Sequence, residues 1–450
     1  MSTYQRYHIE TRPTPDISSH PSRFRVRVKK HRLIGLLLRE LVQYRANMPV
    51  VLSRPCVYGV FSGPLGGLAP REALCVGCLR CTTQYPDIVQ IEPNPKRAGV
   101  PGTALGPDQV DTILYEARTG RVPVRGAGYR GIFGGAGWDG MWTDMSEIVR
   151  PTRDGIHGRE FISTLTEIGE KPRYLAIGPS GKLRGPEPRV FGIQVPFLFD
   201  LTSPAARSRP LLTAVAEAAR RIESLALVPA SLATRLPGGA HIAPLVRAND
   251  DSEVGRLGWV PRLLLLEGWD RERFEGFRRR LPETIVGVRV PAESDLSEMV
   301  GAGARVIHLV ADGAARAGGR FFGDRILEIH KKLVEDGVRE EVTLIGSGGI
   351  VLAEHVPKAI ICGLDAVGLD AALLVALQAR LAPAGREGPL WDWAVQRLVN
   401  LSASWRDQLL EILGAMGLRE VRRLRGEVGR CMFQKDLERE AFAGIAGYED

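Results

Sequence analysis

The sequence predicts an α/β architecture, a (β/α)8 barrel of TIM type set between an N-terminal cysteine-rich region and a C-terminal helical tail. Three observations predict it. From about Phe191, short apolar runs alternate with amphipathic segments of helical period, the pattern of parallel strands joined by helical crossovers. Seven or eight such units fill roughly 190 residues, which suits a closed barrel, and the early turn lacks the dinucleotide fingerprint that would favour a doubly wound open sheet. Ahead of them, Cys75-Val-Gly-Cys78-Leu-Arg-Cys81 groups three thiols at two-residue gaps, a metal-binding spacing rather than a core pattern.

Residues 1–50 form a basic N-terminal arm. Arg23 to Lys30 alternates basic and apolar residues, and Leu33-Ile-Gly-Leu-Leu-Leu-Arg-Glu-Leu-Val continues with helical character. A basic amphipathic helix can lie on an anionic membrane, but packing of its leucines on the parent domain or a partner subunit is the reading adopted. Residues 51–125 form the cysteine region, with Ile88-Val-Gln-Ile91 as a short strand and Asp108–Arg118 as a helix introduced by Pro107. Residues 126–190 hold a glycine-dense loop, in which Tyr129, Phe133, Trp138 and Trp142 argue for order, and an entry segment. The barrel occupies 191–385. Its strands are read at Val195–Asp200, Leu225–Val228, Leu263–Leu266, Thr284–Val290, Arg305–Val310, Val342–Ile345 and Asp365–Val367, with a helix after each but the second. Residues 386–450 are a helical tail rich in arginine.

The net charge of +8 is a modest excess over this length, and only nine of the 60 basic residues are lysine. No zinc-finger or aromatic RNA-binding signature accompanies it, so a nucleic-acid partner is not expected, whereas an acidic protein or acidic small substrate fits. The first twenty residues lack an apolar core, and no stretch approaches the ~20 apolar residues of a spanning helix. A soluble, cytoplasmic protein is expected. Four of six cysteines between positions 56 and 81 point the same way, to metal ligation in a reducing compartment. Cys362, in an apolar run, reads as a small buried hydrophobe, and so does Cys431.

The triplet continues Thr-Thr-Gln-Tyr85-Pro86, so a tyrosine stands where a bacterial-ferredoxin run has its fourth cysteine. In two-cluster ferredoxins that cysteine serves the other cluster, and a single-cluster protein can lose it. Cys56 is nearest in sequence, and Ser62-Gly-Pro-Leu-Gly-Gly67 could fold it back. The favoured set is a [4Fe-4S] cluster on Cys56, Cys75, Cys78 and Cys81. A [3Fe-4S] cluster on the triplet is the alternative and zinc a third, since a closed zinc site usually pairs two C-x2-C elements or adds histidines.

Taken as strand seven of an eight-stranded barrel, Val342–Ile345 ends in Gly346-Ser347-Gly348-Gly349-Ile350, followed at once by helix-forming sequence, and the next strand ends near Gly368. Loops after strands seven and eight frequently form a barrel's phosphate site. A phosphorylated cofactor, FMN, is expected there, with a tight structural turn as the other reading.

Over about 145–380, most strongly from Glu340 to Val367, the sequence resembles the FMN-binding domain family of glutamate synthases. Met145 to Glu160 is similar to the segment entering the barrel in that family. The resemblance implies that Ser347, Gly348, Gly349 and Gly368 contact the FMN phosphate. It also implies an electron donor such as ferredoxin or a redox partner subunit, and an oligomer or complex. The chain does not begin with a glutaminase cysteine, so a separate ammonia-supplying subunit is implied. Other family motifs are altered. Leu-Pro-Gly-Gly-Ala-His241 stands in the substrate-loop region, Ala311-Asp312-Gly313 replaces an acidic glycine motif, and Leu381-Ala-Pro-Ala-Gly, just beyond the barrel, holds no cysteine. These departures argue against glutamate synthesis itself.

A flavin reductase needs cationic or donor groups near the reduced flavin and near an acidic substrate. Arg247, Arg289, His308, Asp312 and Arg316 stand at predicted strand ends, and Arg289, His308, Asp312 and Arg316 are taken as the catalytic set. Strand alternation turns Arg289 inward, where an arginine requires an anionic partner. His308 reads equally as a hydrogen-bonded core histidine. Arg150, Arg153, Asp154, His157 and Arg159 read as a salt-bridged junction or a lid. The expected function is an FMN and iron–sulfur oxidoreductase whose cluster relays electrons to or from the barrel flavin. The alternative is an electron-wiring subunit of a larger redox complex.

Overall fold

Eight apolar segments rich in Val, Leu and Ile form parallel strands that close on themselves in sequence order. In this computed structural model the described residues are 7–48, 51, 56–124, 134–144, 161–185, 187–202, 209–379 and 391–445. Tyr129, Phe133, the Met145–Glu160 segment with its cluster from Arg150 to Arg159, and the Pro383 linker lie outside them. The barrel strands are β1 (Phe197–Asp200), β2 (Ala226–Pro229), β3 (Ile242–Val246), β4 (Leu263–Glu267), β5 (Ile285–Pro291), β6 (Val306–Val310), β7 (Thr343–Ser347) and β8 (Ala366–Leu369). They are followed in turn by α1 (Arg209–Arg221), α2 (Ala230–Ala233), α3 (Asp251–Val254), α4 (Arg271–Arg280), α5 (Ser297–Gly301), α6 (Phe322–Glu335), α7 (His355–Cys362) and α8 (Ala371–Ala376). Closure pairs β8 with β1 and β4 with β5.

The inward face changes character along the barrel. Leu198, Leu227, Leu245, Leu265, Ile285, Val306, Ile345 and Ala366 form one apolar cluster with Ile168 and Ile193. Those last two belong to an antiparallel hairpin, Thr166–Gly169 with Val190–Ile193, which plugs the N-terminal end. Side chains alternate faces along a strand, so the inward residue two positions after each apolar one lies nearer the C-terminal end. Six of those positions are Asp200, Arg247, Glu267, His308, Ser347 and Gly368, and Arg289 follows Ile285 by four. The barrel is therefore apolar below and polar above.

The arm assigned to residues 1–50 is two things. Its first part docks on the long helix Trp391–Ala415: the Arg12 N–H donates to Asn400, Trp393 Nε1 donates to the Pro15 carbonyl, and Arg397 pairs with Asp16 at 2.8 Å. Its second part belongs to the cysteine region, because Phe24–Val28 pairs antiparallel with Val89–Pro93. Helix Pro107–Thr119 joins that region to the barrel. Its buried Glu116 accepts from Trp405 Nε1 at 3.0 Å and Gln408 Nε2 at 2.6 Å, while Asp111 receives His20 at 2.7 Å. The tail returns to the glycine-rich segment, where Cys431–Phe433 pairs with Met141–Thr143. No described helix is long and apolar enough to cross a membrane.

Under the barrel, Asp365 is a buried carboxylate with three cations, Arg339 at 2.9 Å, Arg425 at 2.9 Å and Lys171 at 3.0 Å. Burial alone would raise its pKa, but Arg339, Lys171 and Arg425 hold it far below the ordinary carboxylate range. Its native pKa is thus lower than its unfolded one, so its stabilisation is present above an unfolded pKa near ~3.9 and lost as pH falls toward the native value. Removing one partner of a buried ion pair costs about 3–5 kcal/mol. Asp365→Ala is expected to lose that much in urea unfolding at neutral pH and to show a shallower loss of stability on acidification than the unsubstituted chain.

Candidate functional site

The polar upper layer of the barrel is bonded to itself. Arg289 Nη2 lies 3.1 Å from Asp200 Oδ2 and its Nη1 3.5 Å from Glu267, which also receives Arg247 Nε at 3.1 Å. The Ser347 hydroxyl lies 3.0 Å from Asp200 Oδ2 and 2.7 Å from His308 Nε2. Thr202 donates to Asp200 Oδ1 from both its hydroxyl, at 2.6 Å, and its N–H, at 3.2 Å. Burial works to raise the Asp200 pKa, but Arg289 and the Thr202 donors hold it lowered. An ionised Asp200 only accepts, so the hydroxyl proton of Ser347 points to it and His308 must donate from Nε2. Burial, reinforced by Arg289, pushes His308 down to about 3, so it is neutral. Its Nδ1 and the Nε of Arg289 are buried without a hydrogen-bond partner.

Of the expected catalytic set, Arg289 and His308 meet here. Asp312 and Arg316 do not: the Asp312 carboxylate accepts the N–H groups of Ala314 and Arg316, forming a turn, and exposed Arg316 sits in a two-residue hairpin ladder opposite Phe321. Asp200 and Glu267 were missed. Each is an acid ending an otherwise apolar strand at inward parity, a signal present in the sequence.

The glycine turn also differs from expectation. The Ser347 side chain serves the network, and a Cβ on Gly368 would stand 2.0 Å from Ser347 Oγ, so Gly368 makes room for the network. The turn does not run at once into a helix, since Val351–Glu354 precede α7. At Gly348 and Gly349, with φ of +131° and +65°, a Cβ would meet the backbones of Ala311 and Ala315 at 2.7 Å and 2.6 Å. The loop after β6 therefore presses directly on this turn. Among the described residues no acceptor is assigned to the N–H groups of Gly348, Gly349 and Ile350. Consecutive N–H groups at a strand's end, without an acceptor among the described residues, fit an anion such as the FMN phosphate.

The glycine-rich segment around Trp138 lies against α6, α7 and the loop after β6. Trp138 is buried with an edge contact to Phe321 at 4.9 Å, and its carbonyl accepts Lys358 Nζ at 2.9 Å. His355 accepts the Val351 N–H at Nδ1 and donates from Nε2 to Asp139 at 3.1 Å. Together with Glu354 they form a three-ligand group, but both His355 nitrogens are engaged.

The four N-terminal cysteines are half-buried free thiols, and Cys56, Cys75 and Cys81 pack against Val26, Val60 and Val89. Burial pushes Cys75 up to about 11; a Gly77 N–H opposes this and the sulfurs of Cys81, Cys56 and Cys78 add to it. The set is thus close enough to interact and suits a cationic group that would stabilise thiolates. Positive φ at Gly77 (68°) and Leu79 (56°) bends the loop between the ligands. Asp139, Glu354 and His355 are the only three candidate ligands among the described residues whose donor atoms all lie within 4.8 Å, so no three of these sulfurs come that close. Bonds of ~2.3 Å to one tetrahedral zinc would bring sulfurs to about 3.8 Å. A cubane, whose thiolates bind different corners, does not require three sulfurs to come that close.

Cage and barrel share a joint. Arg97 binds Asp108 at 2.5 Å and also Asp111, fixing the connector to helix Pro107–Thr119. From there the Ala104 N–H donates to the Gly313 carbonyl at 2.8 Å, in the loop that presses on Gly348 and Gly349.

Gly368→Ala is expected to destabilise the chain by about 1–3 kcal/mol through overpacking. In a Ser347→Ala background its penalty should shrink, because the clashing oxygen is gone; additive penalties in a double-mutant denaturation cycle would contradict this packing.

The conserved region in glutamate synthase matches residues 322–384, from α6 through α8. The chain is 24% identical to an archaeal-type NADPH glutamate synthase of Dehalococcoides mccartyi, across 79% of this chain and 86% of that one. It is 24% identical to the archaeal glutamate synthase of Archaeoglobus fulgidus across 88% and 94%. A shorter match to the Methanocaldococcus jannaschii enzyme reaches 32% over 134 residues, 25% of this chain and 26% of the relative. Among solved structures, the flavin-binding domain of baker's yeast flavocytochrome b2 is similar at TM-score 0.40 and 14% identity, covering 54% of this chain and 70% of that one. The chain is accordingly similar to glutamate synthases over most of its length, and the matched conserved region forms the part of its barrel that holds the glycine turn.

Proposed function

We propose that the chain is an FMN and iron–sulfur oxidoreductase of the glutamate synthase type, with a [4Fe-4S] cluster on Cys56, Cys75, Cys78 and Cys81 exchanging electrons with FMN at the barrel mouth. The observation that carries this reading is the joint at Gly313, which sets the cysteine region against the loop resting on the glycine turn. Relatives named as NADPH glutamate synthases support a redox reaction. FMN, when bound, supplies a centre that passes electrons singly or in pairs.

The chain's own contribution is to bind and orient. The Gly348, Gly349 and Ile350 N–H groups receive the phosphate, and the apolar lower barrel closes the far end to water. Arg289 and Arg247 place positive charge at the mouth, tempered by Asp200 and Glu267. Neutral His308 holds the Ser347 hydroxyl and moves no proton near neutral pH. The reading does not extend to glutamate synthesis, given the altered substrate-loop residues around His241.

A second reading, an electron-wiring subunit without its own reaction, is favoured by how completely the mouth's charges neutralise one another. Asp370 also caps α8 with a carboxylate, supplying that helix end with an anion from the chain itself. Anaerobic purification separates the two. The first reading expects about one FMN and about four iron and four sulfide per chain. Iron and sulfide without flavin would leave the second, and zinc in place of iron would remove the cluster from both. Cys56→Ala is expected to lower iron or give the EPR signal of a three-iron cluster; an unchanged spectrum would displace Cys56 as the fourth ligand.

A further inference from the structure

The cysteine region carries an open apolar groove of about 520 Å3, lined by Leu33, Leu37, Phe61, Leu65, Tyr85 and Cys81. One wall is helix Lys30–Gln43, in which Glu40 alone is buried. Beside the groove, Leu38 and Val42 are 61% and 80% exposed, and Ile34 and Leu41 complete a stripe at helical spacing. Apolar area of this kind, set next to polar surface, marks an interaction site. The rim is basic: Lys29, Lys30, Arg39 and Arg45 are exposed and have no ion pair among the described residues.

We infer that this groove is the docking site of a small acidic electron-carrier protein, seated with an apolar side chain in the groove and its carboxylates on the basic rim. The inference rests on the cluster reading above. Cys81, a proposed cluster ligand, is itself part of the groove wall, so a partner held there is at the cluster. Charge decides against a second copy of this chain, which would bring an equally basic rim against this one. Shape decides against a membrane, because a surface-bound helix presents a flat apolar face, whereas this helix shares a concavity with the Ser62–Leu68 loop. In the step proposed, one electron leaves the reduced carrier and enters the oxidised cluster, with no bond made or broken and no proton moved.

The test uses the full chain and two exposed substitutions together, Leu38→Glu and Val42→Glu. Cluster reduction is followed in the visible spectrum with two reductants, a small acidic ferredoxin and reduced methyl viologen, which needs no docking surface. The variant is expected to keep its iron and its viologen rate and to lose about tenfold or more of its ferredoxin rate. The ferredoxin rate of the unsubstituted chain should fall between about 0.1 M and about 1 M salt, as the Debye length shrinks from about 10 Å to about 3 Å. Equal ferredoxin rates in the two proteins, with iron present, would overturn the docking site alone. So would an unchanged ferredoxin rate accompanied by loss of a dimer in sedimentation, or by loss of binding to phosphatidylserine vesicles, which would assign the groove to a second copy or a lipid surface. An unsubstituted chain without iron would overturn the cluster reading and this inference with it.

Discussion

The buried carboxylate of Asp200 is the charge around which the upper barrel is assembled. An ionised carboxylate taken out of water must be paired and hydrogen-bonded. Here Arg289 supplies the charge, Thr202 and Ser347 supply donors, and His308 is fixed in one tautomer through Ser347. Gly368 follows from the same requirement, since any side chain there would collide with the serine oxygen. Arg289 in turn draws in Glu267, and Glu267 draws in Arg247. One charge thus dictates the residue types at six strand ends and leaves the backbone of the glycine turn, rather than its serine, as the proposed anion-binding element.

That constraint separates two regions that look alike in sequence. Residues facing the barrel axis answer to Asp200, while those in the loop after β6 answer to the joint with the cysteine region. Ala311 and Ala315 are small because the glycine turn lies against them, and Gly313 receives the connector through its carbonyl. A change in the cysteine region therefore has a short physical route to the turn. The coupling proposed between cluster and flavin uses this contact, which is a feature of the polypeptide itself.

Much of the fold was legible because its signals are local. Strand alternation placed Arg289 inward, and the apolar runs located seven of the eight barrel strands; the run at Ile242–Val246 escaped because Pro244 interrupts it. The rest depended on long-range contacts. Pro15 meets Trp393 and Asp16 meets Arg397 across nearly the whole chain, so the first residues read as an arm of their own. Asp312 and Arg316 carried the right chemistry at the right strand end, yet a turn bond claims the one and exposure the other. Ser347 sits inside a phosphate-like motif, but its parity turns it to the barrel axis. The thiol spacing picked out Cys75, Cys78 and Cys81, while the approach of Cys56 to them appears only in three dimensions.

The most direct measurement of the central claim is anaerobic stopped-flow reduction by methyl viologen, following the flavin band in the unsubstituted chain and in Cys78→Ser. Coupling through the cluster predicts that flavin reduction slows by about tenfold or more when a ligand is lost, with flavin content unchanged. Equal flavin reduction rates in the two proteins, with the cluster absent from the variant, would contradict it.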